Sequence, residues 1–328
     1  MPKAEAMRAD DRPAPLVSVV APVRNGAAVL PELLSALEAQ TLPQKRFEVI
    51  IGDDGSTDGC TDGVETADGR IRVARGPAST GYAARNRAAS LAVADLLAFC
   101  DADCVPDPEW LANGLATLGD ADVAGGRIRC VGPVRPTIWT LMDIETFVDA
   151  ERSVKAGGLL TGNLFVRREL FTSLGGFDET LLRTGDFDFA RRCHEAGAKA
   201  VYASDAVVSH PTYNDAHSFM KKFWGVNRWH GWAAGRSGRK PNGLTLRAWV
   251  PIVQTYRTRR YFGRPIALSS KRLEENGVRA RAWDHARALP LIYLVLPYTA
   301  CTGQLWGWLA GRRHARSSSG LGPVHRTP

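Results

Sequence analysis

Three things are scarce in this 328-residue chain, and each scarcity removes a class of protein. Its six cysteines (Cys60, Cys100, Cys104, Cys130, Cys193 and Cys301) include no Cys-x-x-Cys pair, and no secretory apolar segment opens the sequence. That excludes a disulfide framework, makes a zinc centre a poor fit, and predicts reduced thiols in the cytosol. No Gly-x-Gly-x-x-Gly turn follows the first apolar strand, so a dinucleotide-binding dehydrogenase is excluded. Residues 22–26 occupy that place with Pro-Val-Arg-Asn-Gly, not the glycine-rich, lysine-bearing loop of a sugar nucleotidylyltransferase. Acidic residues, finally, are almost missing from the C-terminal third. Up to His210 there are 22 Lys and Arg against 30 Asp and Glu; from Pro211 there are 20 against 4, so the net +8 divides into −8 and +16. A basic tail of this kind predicts an anionic partner such as phospholipid headgroups, a lipid-phosphate acceptor or nucleic acid, or simply a solvated basic surface.

What is present is an alternation of buried strands and amphipathic helices. The β-branched run 17–21 suits a buried parallel strand, and residues 28–40 place Leu30, Leu33, Leu34 and Leu37 at helical spacing. Residues 47–51 read as a second strand, 81–94 as a helix and 96–100 as a third strand. Further strands are expected at 121–131, 161–166 and 200–208, with a helix over 186–195. This order predicts an α/β fold with a Rossmann-like, mostly parallel sheet flanked by helices. Ligands of such sheets bind beyond the carboxyl ends of the strands. The rule singles out three loops: Pro22, Arg24 and Asn25; then 53–58, Asp-Asp-Gly-Ser-Thr-Asp; then Asp101 and Asp103. The first turn of the 81–94 helix adds Arg85 and Asn86 to the same cleft.

Two carboxylates one residue apart on a loop can share a cation that also binds phosphate oxygens. Oxygen ligands of this type suit Mg²⁺ or Mn²⁺. Asp54 lies in a tight turn where a carboxylate can accept the ring N–H of a pyrimidine base, or can serve only as a cap before a helix.

Five stretches in order carry a resemblance: Val-Ser-Val-Val-Ala-Pro-Val-Arg-Asn at 17–25, Ile-Gly-Asp-Asp-Gly-Ser-Thr-Asp at 51–58, Ala-Arg-Asn at 84–86, Asp-Ala-Asp at 101–103 and Gly-Gly-Phe-Asp-Glu at 175–179. Together they resemble the family 2 glycosyltransferases with the GT-A fold, of the inverting, non-processive type. The resemblance implies that Pro22, Arg24 and Asp54 hold the nucleotide base and that Arg85 and Asn86 line the nucleotide pocket. It implies that Asp101 supports the ribose and the metal shell, and that Asp103 ligates Mn²⁺ or Mg²⁺ with His210 completing the site. The family's base lies in a Glu-Asp pair opening a helix; Asp186 matches it, Gly185 replaces the glutamate, and Asp188 is the rival if the alignment slips by two. Asn163, Asp188 and Trp229 are expected near the sugar or acceptor, with Asn163 equally suited to a simple turn. The processive members' Gln-x-x-Arg-Trp motif is incomplete, because Gly225 stands in the glutamine's place before Arg228 and Trp229. The implied activity is transfer from a UDP-, GDP- or dTDP-sugar to a glycan, lipid-linked or small-molecule hydroxyl, in cell-envelope glycan, glycolipid or secondary-metabolite glycosylation. A catalytically degenerate nucleotide-sugar-binding module is the alternative, with Gly185 as its support.

The expected organisation is a disordered lead at 1–15, the GT-A domain at 16–211, a basic helical extension at 212–315 and a disordered tail at 316–328. In the extension, aromatics of 219–232 interleave with Lys221, Lys222, Arg228 and His230, which reads as an acceptor or membrane lip, or as core packing. Residues 289–310 carry no charge. They allow a single membrane span, an interfacial or hairpin-like contact, or a soluble helical pair. The location expected is the cytoplasm or the inner face of the cell membrane, with nucleic acid the lesser partner.

Overall fold

A computed structural model describes residues 14–133, 135–147, 149–236, 238–241, 270–279 and 281–319. The expected lead at 1–15 and tail at 316–328 fall largely outside these residues. Two compact units are present: Met1–Arg129 with Asp149–Pro211, and Cys130–Val148 with Thr212–Pro328.

The first unit is built on strands β1 (Val17–Val23), β2 (Phe47–Asp54), β3 (Ile71–Gly76), β4 (Leu96–Cys100), β5 (Val105–Pro106), β6 (Val123–Val131), β7 (Asn163–Arg167) and β8 (Ala200–Pro211). Their order across the sheet is β3-β2-β1-β4-β7-β6-β8-β5. β3, β2, β1 and β4 run parallel, whereas β7 is antiparallel to both of its neighbours, β4 and β6. The apolar runs follow from this architecture. Val17, Val19, Val20 and Ala21 are fully buried, as are Val49, Ile50 and Ile51 beside them, because helices or loops cover both faces.

The helices of this unit are α1 (Leu30–Glu38), α2 (Gly81–Ala89), α3 (Trp110–Leu118), then α5 (Ala150–Lys155), α6 (Arg168–Ser173) and α7 (Gly185–Glu195), with α4 (Ile138–Thr146) between α3 and α5 in the chain. α1 buries Leu30, Leu33 and Leu37, the predicted stripe. α2 has no such stripe. It buries Ala83, Ala84, Ala88 and Ala89 against the sheet, and a Cβ at Gly52 of β2 would lie 2.3 Å from the Ala84 carbonyl oxygen. Small residues on both sides therefore let α2 approach closely, and its first turn, capped by Thr80, carries Tyr82 and Arg85. β3, α3, α5 and α6 were not expected from the sequence.

The second unit gathers α4, α8 (Ala216–Arg236), α9 (Ser270–Glu275), α10 (Ala282–Pro290), a π-helical turn (Leu291–Val295) and α11 (Leu296–Ser319). Its core joins Leu141, Met142 and Ile144 of α4 to Phe219, Leu273, Ala288, Ile292 and Leu296. The fully buried Asp143 is paired with Lys222 at 2.7 Å and accepts the Tyr213 N–H at 3.1 Å, so the charge is compensated within this core. α8 and α11 meet through glycines. A Cβ at Gly231 would lie 2.0 Å from the Gln304 carbonyl oxygen, and one at Gly307 would lie 1.8 Å from that of Arg228.

The uncharged stretch 289–310 thus begins in α10, passes the π turn and continues into α11. Among the described residues no helix is long and apolar enough to cross a membrane, which corrects the single-span reading of that stretch. Pro290, Pro297 and the polar residues of α11, Gln304 among them, lower the apolar character of the stretch.

Candidate active site

The loops after β1 and β2 are joined to each other. Asn25, held at φ 51°, accepts the Thr57 N–H at 2.8 Å, while its own N–H reaches Ser56 Oγ at 3.0 Å and the Ala27 N–H reaches Asp58 Oδ2 at 2.9 Å. Left-handed backbone is tolerated by asparagine better than by most residues, which accounts for its place here. Within the second loop the two neighbouring aspartates have different partners. Asp53 accepts from Ser56 N at 2.8 Å and from Thr61 Oγ1 at 2.9 Å. Burial pushes its carboxyl up, but these bonds together outweigh that and leave it below the usual range. Asp54 accepts the Ser79 N–H, at 2.8 Å, on one oxygen, with the other 3.9 Å from Arg24 Nη1. Gly55 at φ 73° turns the chain beneath it; a Cβ there would be 2.5 Å from Ala78 N.

Arg85, 7% exposed, reaches from α2 to bind Asp101 beyond β4, and lies over the Tyr82 ring at 5.5 Å. Its buried Nε has no hydrogen-bond partner among the described residues. Asn86 turns the other way. Its amide donates to the Phe177 carbonyl at 2.8 Å and to Glu179 Oε1 at 2.9 Å and accepts the Phe177 N–H at 2.9 Å, clamping the Gly-Gly-Phe-Asp-Glu turn. Gly176 must be glycine for that clamp, since its Cβ would lie 2.7 Å from Asn86 Oδ1 at φ 69°. The turn seats Phe177 among Tyr82, Phe99, Phe171 and Phe189, and this aromatic cluster carries the start of α7.

At that start Thr184 takes φ 65°, and Asp186 follows Gly185 into the helix. Burial raises the Asp186 carboxyl to about 6; the Phe187 N–H at 3.0 Å and the Arg85 charge oppose the rise, and the Asp101 charge adds to it. Asp188 differs. Burial raises it, but ion pairs with Arg191 at 2.8 Å and Arg192 at 2.9 Å outweigh that and hold it below the usual range. Arg192 is itself tied to the Leu174 carbonyl at 2.6 Å.

Asp103 and His210 face each other, Oδ2 to Nε2, at 3.9 Å. His210 Nδ1 lies 2.7 Å from the Pro211 carbonyl oxygen, which can only accept, so Nδ1 donates there and Nε2 is the ring atom turned toward Asp103. Crowding by the cleft walls raises the Asp103 carboxyl, with His210 opposing and Asp101 adding to the rise. Two carboxylates and an imidazole nitrogen are a donor set that fits Mn²⁺ or Mg²⁺. Cys104 offers its sulfur within 4.8 Å of the Asp101 and Asp103 carboxylates, but hydrogen bonding to Cys100 and burial push its thiol well up. It is no ligand for a hard cation.

Asn163 and Trp229 were the residues expected near the sugar or acceptor. Asn163 is 1% exposed, and its amide is spent on Trp110 Nε1 at 2.9 Å and on the carbonyls of Arg127 at 2.9 Å and Ala206 at 2.8 Å, so it fastens β7 to its surroundings. Trp229 belongs to α8 in the second unit, its ring 4.7 Å from Trp232. Tyr82 and Ser79 were missed by sequence reasoning. No motif marks either, and the one available signal was the glycine at 185, whose meaning needs Tyr82 in view.

Comparison with known proteins gives the family and the fold. Residues 18–175 match the model of glycosyl transferase family 2. The chain is 32% identical over 216 residues to glycosyltransferase AglE of Haloferax volcanii, an alignment covering 64% of this chain and 71% of AglE. It is 29% identical over 265 residues to the pre-mycofactocin glycosyltransferase of Mycobacterium tuberculosis, covering 71% of this chain and about half (52%) of that relative. Among solved structures, the mannosyltransferase PcManGT of Pyrobaculum calidifontis, in complex with GDP-Man and Mn²⁺, superposes with TM-score 0.55 at 20% identity, covering 91% of this chain and 87% of that one. The sheet and its covering helices are thus the GT-A fold, and the chain belongs to glycosyl transferase family 2.

Proposed function

We propose that the chain transfers a single sugar from a nucleoside diphosphate sugar to an acceptor hydroxyl, with inversion, and with Asp186 as general base. The observation that carries the reading is Asp186 itself: a carboxyl raised to about 6, in a cleft it shares with Arg85 and Asp101. A hydroxyl is a poor nucleophile at neutral pH, and a carboxylate tuned near the working pH is suited to accept its proton as it attacks the anomeric carbon. Attack from the face opposite the leaving group inverts that carbon, so no protein nucleophile is needed. Asp54, Pro22 and Arg24 take the nucleotide base, Arg85 holds Asp101 at the ribose side, and Asp103 with His210 holds Mn²⁺ or Mg²⁺. A bound divalent ion there supplies positive charge that offsets the charge gathering on the departing diphosphate. The relatives support the class of reaction, and the donor set supports the metal.

The test is a panel of UDP-, GDP- and dTDP-sugars with purified protein and Mn²⁺, read as nucleoside diphosphate release with and without chelator. Mn²⁺-dependent release from one donor is expected. Undiminished UDP binding with no release from any donor or acceptor overturns the enzyme reading in favour of a binding module.

The second unit supports a contact with an anionic membrane surface. On α11 and the turn before it, Val295, Tyr298, Trp306 and Leu309 are all exposed, Trp306 by 62%, and their spacing places them on one helical face ending near Arg312 and Arg313. Exposed aromatics beside arginines in a region of net charge +16 suit headgroups. Flotation with anionic but not neutral vesicles is expected. Salt-sensitive binding to RNA or DNA without flotation points instead to nucleic acid.

A further inference from the structure

Gly185 stands where the family pattern has a glutamate, and Tyr82 fills the room. A Cβ at Gly185 would lie 2.7 Å from Tyr82 Cε2 and 2.8 Å from Cζ, closer than unbonded carbons approach. The ring cannot easily yield: it is 7% exposed, with Arg85 over its face and the Phe177 ring 5.5 Å away. Its hydroxyl lies 3.4 Å from Asp186 Oδ1 and 3.4 Å from the Asp186 N–H, so it meets both the carboxylate and the backbone of the same residue. Burial and the neighbouring Asp186 charge keep the phenol protonated, so it is a donor toward the carboxylate. Contacts at the long end of the hydrogen-bond range are common in sites without substrate and tighten when it binds.

We propose that Tyr82 is a positioning residue for the base, its ring taking the space vacated at position 185 and its hydroxyl orienting the Asp186 carboxylate toward the acceptor. This rests on Asp186 being the base. It makes Gly185 and Tyr82 a matched pair, so the absence of the glutamate at 185 is a rearrangement of the base's support and not a sign of lost catalysis. The charged groups facing Asp186 are Arg85 from α2 and Asp101 from the loop after β4; Tyr82 is the neutral member of this set.

Tyr82→Phe removes the hydroxyl and keeps the ring. Expected are an unchanged melting temperature and UDP affinity, a kcat lower by about tenfold with KM for the donor nearly constant, and an acid limb of kcat/KM moved to higher pH, because the ionised carboxylate loses a donor. Gly185→Ala tests the pair. With Tyr82 in place it is expected to lower the melting temperature; combined with Tyr82→Ala, which clears the space, the added methyl should cost little. A Tyr82→Phe enzyme with wild-type kcat and an unmoved pH profile overturns the proposal, as does a Gly185→Ala single variant as stable as the wild type. Asp186→Asn separates the two failures. If it stays active, the base reading falls; if it is inactive while Tyr82→Phe is normal, only the positioning role falls.

Discussion

Asp186 and Asp188 lie two residues apart in the first turn of α7, yet their carboxyls are displaced in opposite directions, Asp186 upward by burial and Asp188 downward through its pairs with Arg191 and Arg192. A carboxylate already bound by two guanidinium groups is a weak proton acceptor. Asp188→Asn should therefore keep transfer within about tenfold of wild type while lowering the melting temperature, because Arg192, which also holds the Leu174 carbonyl, loses its ion pair within α7. Initial rates and thermal unfolding of the purified variant check this, and abolished transfer with intact folding would move the base to Asp188.

The raised Asp186 carboxyl also has a stability consequence. Between its ordinary value of 3.8 and about 6 the native state binds a proton that the unfolded chain has already lost, so stability falls as pH rises through that window and the loss is complete above it. The difference corresponds to at most ~3 kcal/mol, and partial solvent access reduces it. Asp186→Asn is thus expected to be more stable than wild type at pH 7–8 by ~1–3 kcal/mol, and to converge with it near pH 4. Urea unfolding at both pH values reads this directly; equal stability at pH 7.5 counts against a raised carboxyl.

Asp53 and Asp54 should separate fold from binding. Asp53→Ala strands Ser56 N and Thr61 Oγ1 in the loop after β2, at a cost of ~1–3 kcal/mol. Asp54→Asn keeps an acceptor for Ser79 N but exchanges the second oxygen, so UDP affinity should fall by about tenfold or more while the melting temperature barely moves. Calorimetric titration with UDP and thermal melts of the two variants give the comparison, and the reverse pattern would exchange their roles.

For the metal, Asp103→Ala and His210→Ala should each remove the Mn²⁺ dependence of UDP binding. His210→Gln is expected to retain less of it than wild type, because an amide does not reproduce an imidazole nitrogen oriented through the Pro211 carbonyl. UDP titrations with and without Mn²⁺ decide it, and an undiminished Mn²⁺ effect in Asp103→Ala would place the ion elsewhere.

In the second unit, Gly307→Val places atoms where the Arg228 carbonyl oxygen already stands 1.8 Å from the would-be Cβ, so α8 and α11 must separate. Soluble yield and the melting transition should drop, with Gly238→Ala, which meets nothing within 4 Å but has φ 70°, costing far less.

How much of this was legible in the sequence depended on whether a residue's partner was near in the chain or could be inferred from a pattern. The strand 96–100 could be read because a short apolar run ends abruptly in two carboxylates, and the loops carrying Asp54, Asp101 and Asp103 follow from the strand-end rule. β3 is too short to stand out: its six residues include Arg72 and Arg75, and Ile71 and Val73 alone give the alternation. α2 has no apolar face because it packs through alanines on Gly52. The membership of residues 130–148 in the second unit is invisible locally, since Leu141, Met142 and Ile144 find their partners beyond Pro211. Asn163 was misplaced for a related reason. A turn asparagine and a buried one read alike until Trp110, Arg127 and Ala206 are seen around it.

The central claim is that Asp186 accepts the proton in a transferase whose donor is held by other residues. Its most direct test is single-turnover transfer by wild type and Asp186→Asn with the identified donor, Mn²⁺ and acceptor, beside UDP titrations of both proteins. The account predicts transfer slower by about 10²–10⁴-fold in the variant with UDP affinity changed by less than about threefold. Wild-type transfer by Asp186→Asn would contradict it.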